Sequence, residues 1–201
     1  MIAVFDVWSF KDIQKVCSPV LAETEERMAL TYMVLAFTDD LCRAYGSNGY
    51  QVSRIEVPCK LSVKGLYTPE KVLLRPVKIP PKTKKVILST DDPENVYITF
   101  YSADNTMTGD YTQPVLKAEP MAFEEHVIKP SLEKIDKQGQ GTGAFMFAVN
   151  PEYLINALAG MKDCEQVIFN FSSPNYSFLI RPYKTDQNSS ITALVFPVRI
   201  M

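Results

Sequence analysis

FAVNPEYLINALAGMKDCEQVIFNFSSPNYSFLIRPYKTDQNSSITALVFPVRIM, residues 147–201, carries the pattern that decides the fold. Asn150 suits a helix N-cap because its side-chain oxygen can accept a bond from a free amide of the first turn. Pro151, at the first helical position, gives up no hydrogen bond there. Tyr153, Leu154, Ala157, Leu158 and Met161 then recur at helical spacing and make one apolar stripe. Beyond Cys164 the pattern changes: 166–172, 177–182 and 191–200 read as strands, and 145–149 reads as a strand ahead of the helix. The unit is strand, helix, strand, strand, strand.

The same order opens the chain. Residues 1–7 are apolar and alternate loosely, and Ser9 is a plausible cap for a helix through Phe10, Ile13, Gln14, Val16 and Cys17 that ends near Pro19. Strands follow at 30–37, 41–46 and 50–57, with turns at Asp39-Asp40 and at Asn48-Gly49, the strongest short-range hairpin signal. Pro58, Pro69, Pro76, Pro80 and Pro81 interrupt the middle of the chain. Two strands are clear there: 85–89, and 95–101 with Val96, Ile98 and Phe100 on one side, joined by a DDPEN turn. A polar segment over 103–113, a proline-flanked stretch and a helix or loop over 123–135 come next, and KQGQGTG at 137–143 reads as a flexible connector. The weak repeat at the two ends predicts an α+β protein of repeated strand-helix-strand-strand-strand units, its antiparallel sheets carrying helices on one face.

Composition narrows the function. With 201 residues, 46% hydrophobic and 22% charged, the chain is an ordinary globular protein of one or two domains. Every apolar run is broken well short of the roughly 20 residues a membrane-spanning helix needs. MIAVFDVWSFKD, with Asp6 and no basic lead-in, is unlike a signal peptide, so a cytoplasmic protein is expected, or one made by a virus in a bacterial cytoplasm. Cys17, Cys42, Cys59 and Cys164 form no CxxC pair and have neither zinc nor redox spacing, so reduced, mostly buried thiols are expected. The net charge is only −2, yet eight of the 21 basic residues fall between Lys60 and Lys85 against one acid, Glu70. That stretch is either a local positive face for phosphate or a solvated surface.

Enzyme chemistry has little to stand on. His126 beside Glu124 and Glu125 is the usual pattern of a solvated surface, and no nucleophile elbow, Walker loop or HExxH is present. Gly139, Gly141 and Gly143 precede a strand and not a helix, so they make no phosphate cradle. Asp39-Asp40 and Asp91-Asp92 sit in turns, where aspartate serves the backbone. Neither catalysis nor a cofactor or metal is expected.

The C-terminal stretch resembles the last repeat of the bacterial DNA polymerase III beta subunit, the sliding clamp. It shares the helix that starts at an asparagine with Tyr-Leu and Ala-Leu pairs, the alternating V-x-F-x-F strand, and the ending Leu194, Val195, Phe196, Pro197, Val198, Arg199, Ile200. LCRAYGSNGYQVSRIEVP is similar to a hairpin of the clamp's middle domain. The resemblance implies a DNA-clamp-like fold and a hydrophobic pocket for the linear motifs of polymerases and clamp loaders. Carried over, that pocket is Ser47, Gly49, Val52, Leu194, Phe196, Pro197 and Arg199. An extended peptide with apolar anchors needs such a slot with a few polar groups to set its register. The resemblance also implies a homo-oligomer on double-stranded DNA, with helices presenting lysine and arginine to phosphates without reading sequence. Lys11, Lys15, Lys71 and Arg75 are the candidates for that role. Clamp domains hold two repeats each, so this chain fits a shortened form: a clamp-like domain over 1–122 and an incomplete one over 123–201, or one domain of two terminal repeats with an insertion. The alternative function is a clamp-derived interaction module, viral or from a mobile element, that does not encircle DNA.

Overall fold

Asp6 both ends the first strand and starts the first helix. In the computed structural model, which describes residues 1–38, 40–62, 71–116, 122–131, 133, 148–171, 176–184 and 190–198, β1 (Ile2–Asp6) runs directly into α1 (Val7–Cys17). The Asp6 carboxylate accepts the amides of Trp8 at 2.8 Å and Ser9 at 3.0 Å, so Asp6 and not Ser9 is the cap. Ser9 lies inside the first turn, buried, with its hydroxyl donated to the same carboxylate. The physical reason is position: the free amides of the first turn lie two and three residues beyond Asp6. From there α1 buries Val7, Phe10, Ile13, Val16 and Cys17.

Three strands joined by short turns follow, β2 (Met33–Thr38), β3 (Leu41–Ser47) and β4 (Gln51–Pro58). Asp39, in the first of the expected turns, lies outside the described residues. At the second turn Gly49 has φ 91° and Asn48 Oδ1 accepts the amides of Tyr50 and Gln51, so the Asn-Gly signal is used as expected. β5 (Lys60–Ser62) and β6 (Lys71–Leu74) were hidden in the proline-rich middle. They are followed by β7 (Lys85–Ser89), β8 (Asn95–Tyr101) and β9 (Met107–Pro114). β9 falls where a polar segment was expected. It is an edge strand, exposed along most of its length, and so lacks the alternation that marks a half-buried strand.

The first strand of each unit lies in the sheet of the other. β1 joins β7, β8 and β9 in a five-stranded sheet of order β5-β1-β7-β8-β9, while β6 pairs with β2. The two sheets enclose one core: Phe5, Val86, Leu88, Ile98 and Phe100 from one, Met33, Leu35, Ala44, Ile55 and Leu74 from the other, with Phe10 and Ile13 of α1 between them. All are buried, which at ~25 cal/mol per Å² of apolar area makes this cluster the main stabilising element of the N-terminal part.

The C-terminal unit supplies α3 (Pro151–Ala159), β10 (Val167–Asn170), β11 (Phe178–Pro182) and β12 (Ser190–Val195). Asn150 caps α3 by accepting the Glu152 amide at 2.9 Å. The three strands extend the second sheet to seven, in the order β10-β11-β12-β4-β3-β2-β6. β12 stops at Val195, short of the expected 191–200, where Pro197 has no amide to give to a ladder. Of the strand expected at 145–149, Ala148 is bridged to Val198, and 145–147 lie outside the described residues, as does the connector at 137–143. Ala157 and Met161 pack on Phe178, Ile180, Ala193 and Val195.

Helices α1 and α3 share one face of the seven-stranded sheet, as expected. A third helical segment, α2 (123–131), built around a π-helical stretch at Glu124–Ile128, covers the opposite face through Phe123 and Ile128, which pack on Val34, Tyr45, Val52 and Leu73.

Asp6→Ala is expected to cost about 1 kcal/mol in urea unfolding. Burial opposes the Asp6 charge, but the bonds from Ser9 and Trp8 outweigh it and hold the carboxyl below its ordinary value of 3.8. Its contribution is therefore complete above that value and is lost as the pH falls through the lower, folded-state value, so wild type should lose more stability on acidification than Asp6→Ala. A Cβ at Gly46 would stand 2.2 Å from the Cys17 carbonyl oxygen. Gly46→Val should thus cost about 3 kcal/mol or more, or abolish folding, read by thermal denaturation.

Candidate partner-binding site and basic surfaces

Strand register collects most of the expected pocket. Ser47 pairs with Val52, Val52 with Leu194 and Leu194 with Leu179, so these side chains form a row across β3, β4, β12 and β11 on the face that carries α2. Gly49 tips the hairpin beside them, and the Phe196 amide donates to the Tyr50 carbonyl at 3.3 Å, which brings the residues after β12 to the same corner. Ser47 closes the turn, donating its hydroxyl to the Gln51 carbonyl at 2.8 Å and accepting the Gly49 amide. Six of the seven expected residues are thus neighbours. Arg199 lies outside the described residues.

The row is not an open slot. Ser47, Val52 and Leu194 are 2%, 4% and 1% exposed. Val52 is packed with Phe123 and Ile128 of α2, and the end of α2 reaches β11, where the Ser177 hydroxyl donates to that of Ser131 at 3.4 Å. What stays accessible is the corner: Phe196 and Pro197 are half-buried, Tyr50 is half exposed and stacked on Tyr153 at 5.6 Å between centroids, and Val198 is exposed.

A polar network that the sequence did not disclose fastens α2 to the sheet. Glu124 receives Arg54 Nη1 at 3.2 Å on each oxygen and the Tyr45 hydroxyl at 2.9 Å. Arg54 also reaches Glu56 at 3.1 Å, and Glu56 accepts Arg43 Nε at 2.7 Å. Burial, then the bond to Glu124, pushes the Tyr45 hydroxyl far above its ordinary value, so it stays a donor. The bond from Arg43 to Glu56 raises the guanidinium pKa further. Arg43 and Tyr45 on β3, and Arg54 and Glu56 on β4, are each two residues apart. That spacing was the only local sign that they share a face.

The candidate phosphate-binding residues fall in two places. Lys11 and Lys15 lie on α1. Lys11 is exposed and sits 4.6 Å from the Trp8 ring centroid, whereas Lys15 is paired with Asp163, which lies just after α3. Lys71 faces the opposite way, into the groove between β2, β3 and α2, together with Arg43, Glu124, Glu125 and Lys129. Arg75 is exposed and stacks on Tyr32 at 4.8 Å. A cavity of about 550 Å³ between α1, the end of α3 and β11 is lined by Asp12, Lys15, Asp163, Glu165, Tyr183 and Lys184, so acids and bases alternate there. Burial is the main cause raising the Asp12 pKa, with Lys15 opposing it.

Cys17, Cys42 and Cys59 are free and buried, and burial pushes the Cys59 thiol up to about 11, as expected of structural thiols. His126 is exposed on α2. Among the described residues no group of acids, cysteines and histidine is arranged to hold a metal, and no helix is long and apolar enough to cross a membrane.

No protein-family sequence model matches the chain, and no curated sequence matches it either. Solved structures do. The DNA polymerase III beta subunit of Thermotoga maritima superposes with a TM-score of 0.69 at 12% identity, covering 100% of this chain and 66% of its own. That of Pseudomonas aeruginosa gives 0.70 at 13%, with the same coverage, and that of Streptococcus pyogenes 0.71 at 15%, covering 98% of this chain and 65% of its own. The chain therefore spans just under two thirds of the length of these structures. These superpositions cover 98–100% of the chain at 12–15% identity, so what is shared is the fold. This chain has the fold of the bacterial sliding clamp over about two thirds of that structure's length.

Proposed function

We propose that the protein is a sliding-clamp-like processivity factor, without chemistry of its own, that assembles with copies of itself on double-stranded DNA in a bacterial cytoplasm and holds linear peptides of a polymerase or clamp loader. In this reading residues 1–122 are one clamp-like domain and 123–201 an incomplete second one. The observation that carries it is the unbroken sheet from β6 to β10, with α1 and α3 side by side on one face and Val16 packed against Gly160. Such a helix-lined surface can follow DNA without reading bases, since phosphates ask only for positive charge. Lys11 is the best placed to meet it; Lys71 and Arg75 would serve a different face. The apolar corner at Phe196 and Pro197 is where a peptide would enter, and a longer stay in the row of Val52 and Leu194 requires α2 to move.

A second reading, an interaction module that does not encircle DNA, is favoured by one observation: on the α1 side Lys15 is neutralised by Asp163, with Asp12 and Glu165 close by. Acids there repel phosphate.

Light scattering across a concentration series, with and without duplex DNA and at rising salt, separates the two. The clamp reading expects a discrete oligomer whose DNA affinity falls with salt, and Lys11→Ala should lower the salt slope by about one unit for each phosphate that goes unneutralised. A monomer indifferent to DNA overturns it in favour of the module. For the pocket, Phe196→Ala should weaken binding of a polymerase clamp-binding peptide by about tenfold or more, since a buried phenyl ring contributes about 1.5–3 kcal/mol. Unchanged affinity with an unchanged circular-dichroism spectrum would remove Phe196 from the pocket.

A further inference from the structure

The described basic residues between Lys60 and Lys85 do not form one surface. Lys60 on β5 and Lys85 on β7 pair with Val4 and Asp6 of β1, so they lie on the outer face of the five-stranded sheet, away from Ala3, Phe5 and the core. Lys71 lines the groove beside α2, and Arg75 stacks on Tyr32, which packs against the same cluster as α2. Lys78, Lys82 and Lys84 are in a third place.

They belong to RPVKIPPKTK, residues 75–84, which leads from β6 to β7 as α1 leads from β1 towards β2. Because β1 pairs with β7 and β6 with β2, the two connections are equivalent in position. Pro76, Pro80 and Pro81 exclude a helix in the second one, and a non-helical strap takes its place. The strap is held along its length. The Arg75 amide donates to Gln113 Oε1 at 3.0 Å, the Val77 amide to Gln14 Oε1 of α1 at 2.7 Å, and the Lys84 amide to the Tyr101 carbonyl at 2.7 Å. The Lys84 carbonyl in turn accepts the Val7 amide, at the first residue of α1, at 3.0 Å. Val77 and Ile79 pack on the core, while Lys78, Lys82 and Lys84 are exposed. Two residues ahead of Val86, Lys84 falls on the core side of β7, where α1 begins.

The strap and α3 lie along opposite flanks of α1. Gln14, which bonds the strap, stands on one side of Lys11; Asp12 and Val16 stand on the other, where Gly160 and the mixed-charge cavity are. The acids that oppose phosphate are therefore on the α3 flank. On the strap flank the chain has no acid from Lys71 to Thr90, and Asp6 is engaged by the Trp8 and Ser9 amides. Among the described residues Lys78, Lys82 and Lys84 make no ion pair.

We propose that the strap is a phosphate-binding element, Lys78, Lys82 and Lys84 acting with Lys11 to hold the backbone of double-stranded DNA along the strap flank of α1. The second unit thus meets DNA through a proline-stiffened strap in the place where the first has a helix. Phosphates ask only for positive charge, and a strap already pinned by its own hydrogen bonds presents that charge with little further ordering. Lys82 has φ 63°, a left-handed conformation that glycine or asparagine adopts more readily, so a lysine there is kept at a conformational cost. This assignment rests on the DNA-binding part of the reading above and names the residues that would carry it.

Binding of the full chain to a fluorescent duplex, followed by anisotropy at rising salt, tests it. The triple variant Lys78→Ala, Lys82→Ala, Lys84→Ala should lower the slope of log affinity against log salt by about three units, about one for each lost phosphate contact, while Lys71→Ala leaves it unchanged. Lys82→Asn, which suits the backbone at that position, should keep or raise the thermal midpoint and still lower the slope by about one, so it decides the matter if the triple variant misfolds. A salt-dependent wild type whose slope the folded variants leave intact overturns the strap as a DNA contact and leaves the clamp reading standing. A poly-glutamate peptide bound as tightly as duplex of equal charge overturns the assignment to DNA in favour of an acidic protein surface. A wild type that binds no duplex at low salt overturns both the strap assignment and the encircling clamp.

Discussion

The ladder between β4 and β12 is the constraint on which the rest of the molecule depends. Six residue pairs, from Ser190 with Glu56 to Val195 with Gln51, join parts of the chain that are far apart in sequence. β4 is already held by β3 on its other edge, so this one ladder sets the position and tilt of the whole C-terminal unit. A slip of one residue would turn Leu194 towards α3 and Val195 towards α2, exchanging the contents of two cores. The ladder also places α3 next to α1, close enough that Gly160 tolerates no larger side chain beside Val16 without a shift.

Once that ladder exists, the two faces of the sheet acquire different chemistry. One face packs α1 and α3 and ends in the mixed-charge cavity around Lys15 and Asp163. The other carries α2, and here charge is buried: Arg54 and Glu124 are 15% and 14% exposed. Leaving one partner of such a pair unmatched costs about 3–5 kcal/mol, whereas the intact pair is far closer to neutral. The network therefore acts less as a source of stability than as a lock on where α2 lies. In the proposed function that matters, because α2 rests on the apolar row assigned there to a partner peptide.

The three units are also unequal. The first has its helix, the second, among the described residues, keeps only strands, and the third keeps its helix while its strands continue the sheet of the first. Losing a helix is tolerated in the second unit because Phe5, Val86, Leu88 and Phe100 still face an apolar sheet.

Much of this could be read from the sequence. The helices at Val7–Cys17 and Pro151–Ala159, the Asn48-Gly49 hairpin and the strands β7, β8, β10 and β11 are legible because each rests on local spacing, a cap or a turn residue. The repeated unit, and with it the resemblance to clamps, follows from those local signals. β5, β6 and β9 were not legible: they are short or exposed, interrupted by proline or polar throughout, and become strands only because a neighbour offers its edge. The cap at Asp6 was missed because Ser9 is an equally good cap by type, and only the observed start of the helix separates them. Of the expected pocket, the sequence named six residues that the fold makes neighbours but could not say that α2 covers part of them. Burial of Val52 and Leu194, the pairing of Arg54 with Glu124, and the separation of Lys15 from Lys71 onto opposite faces were decided by tertiary structure, because each depends on which residues distant in the chain share one side of a sheet.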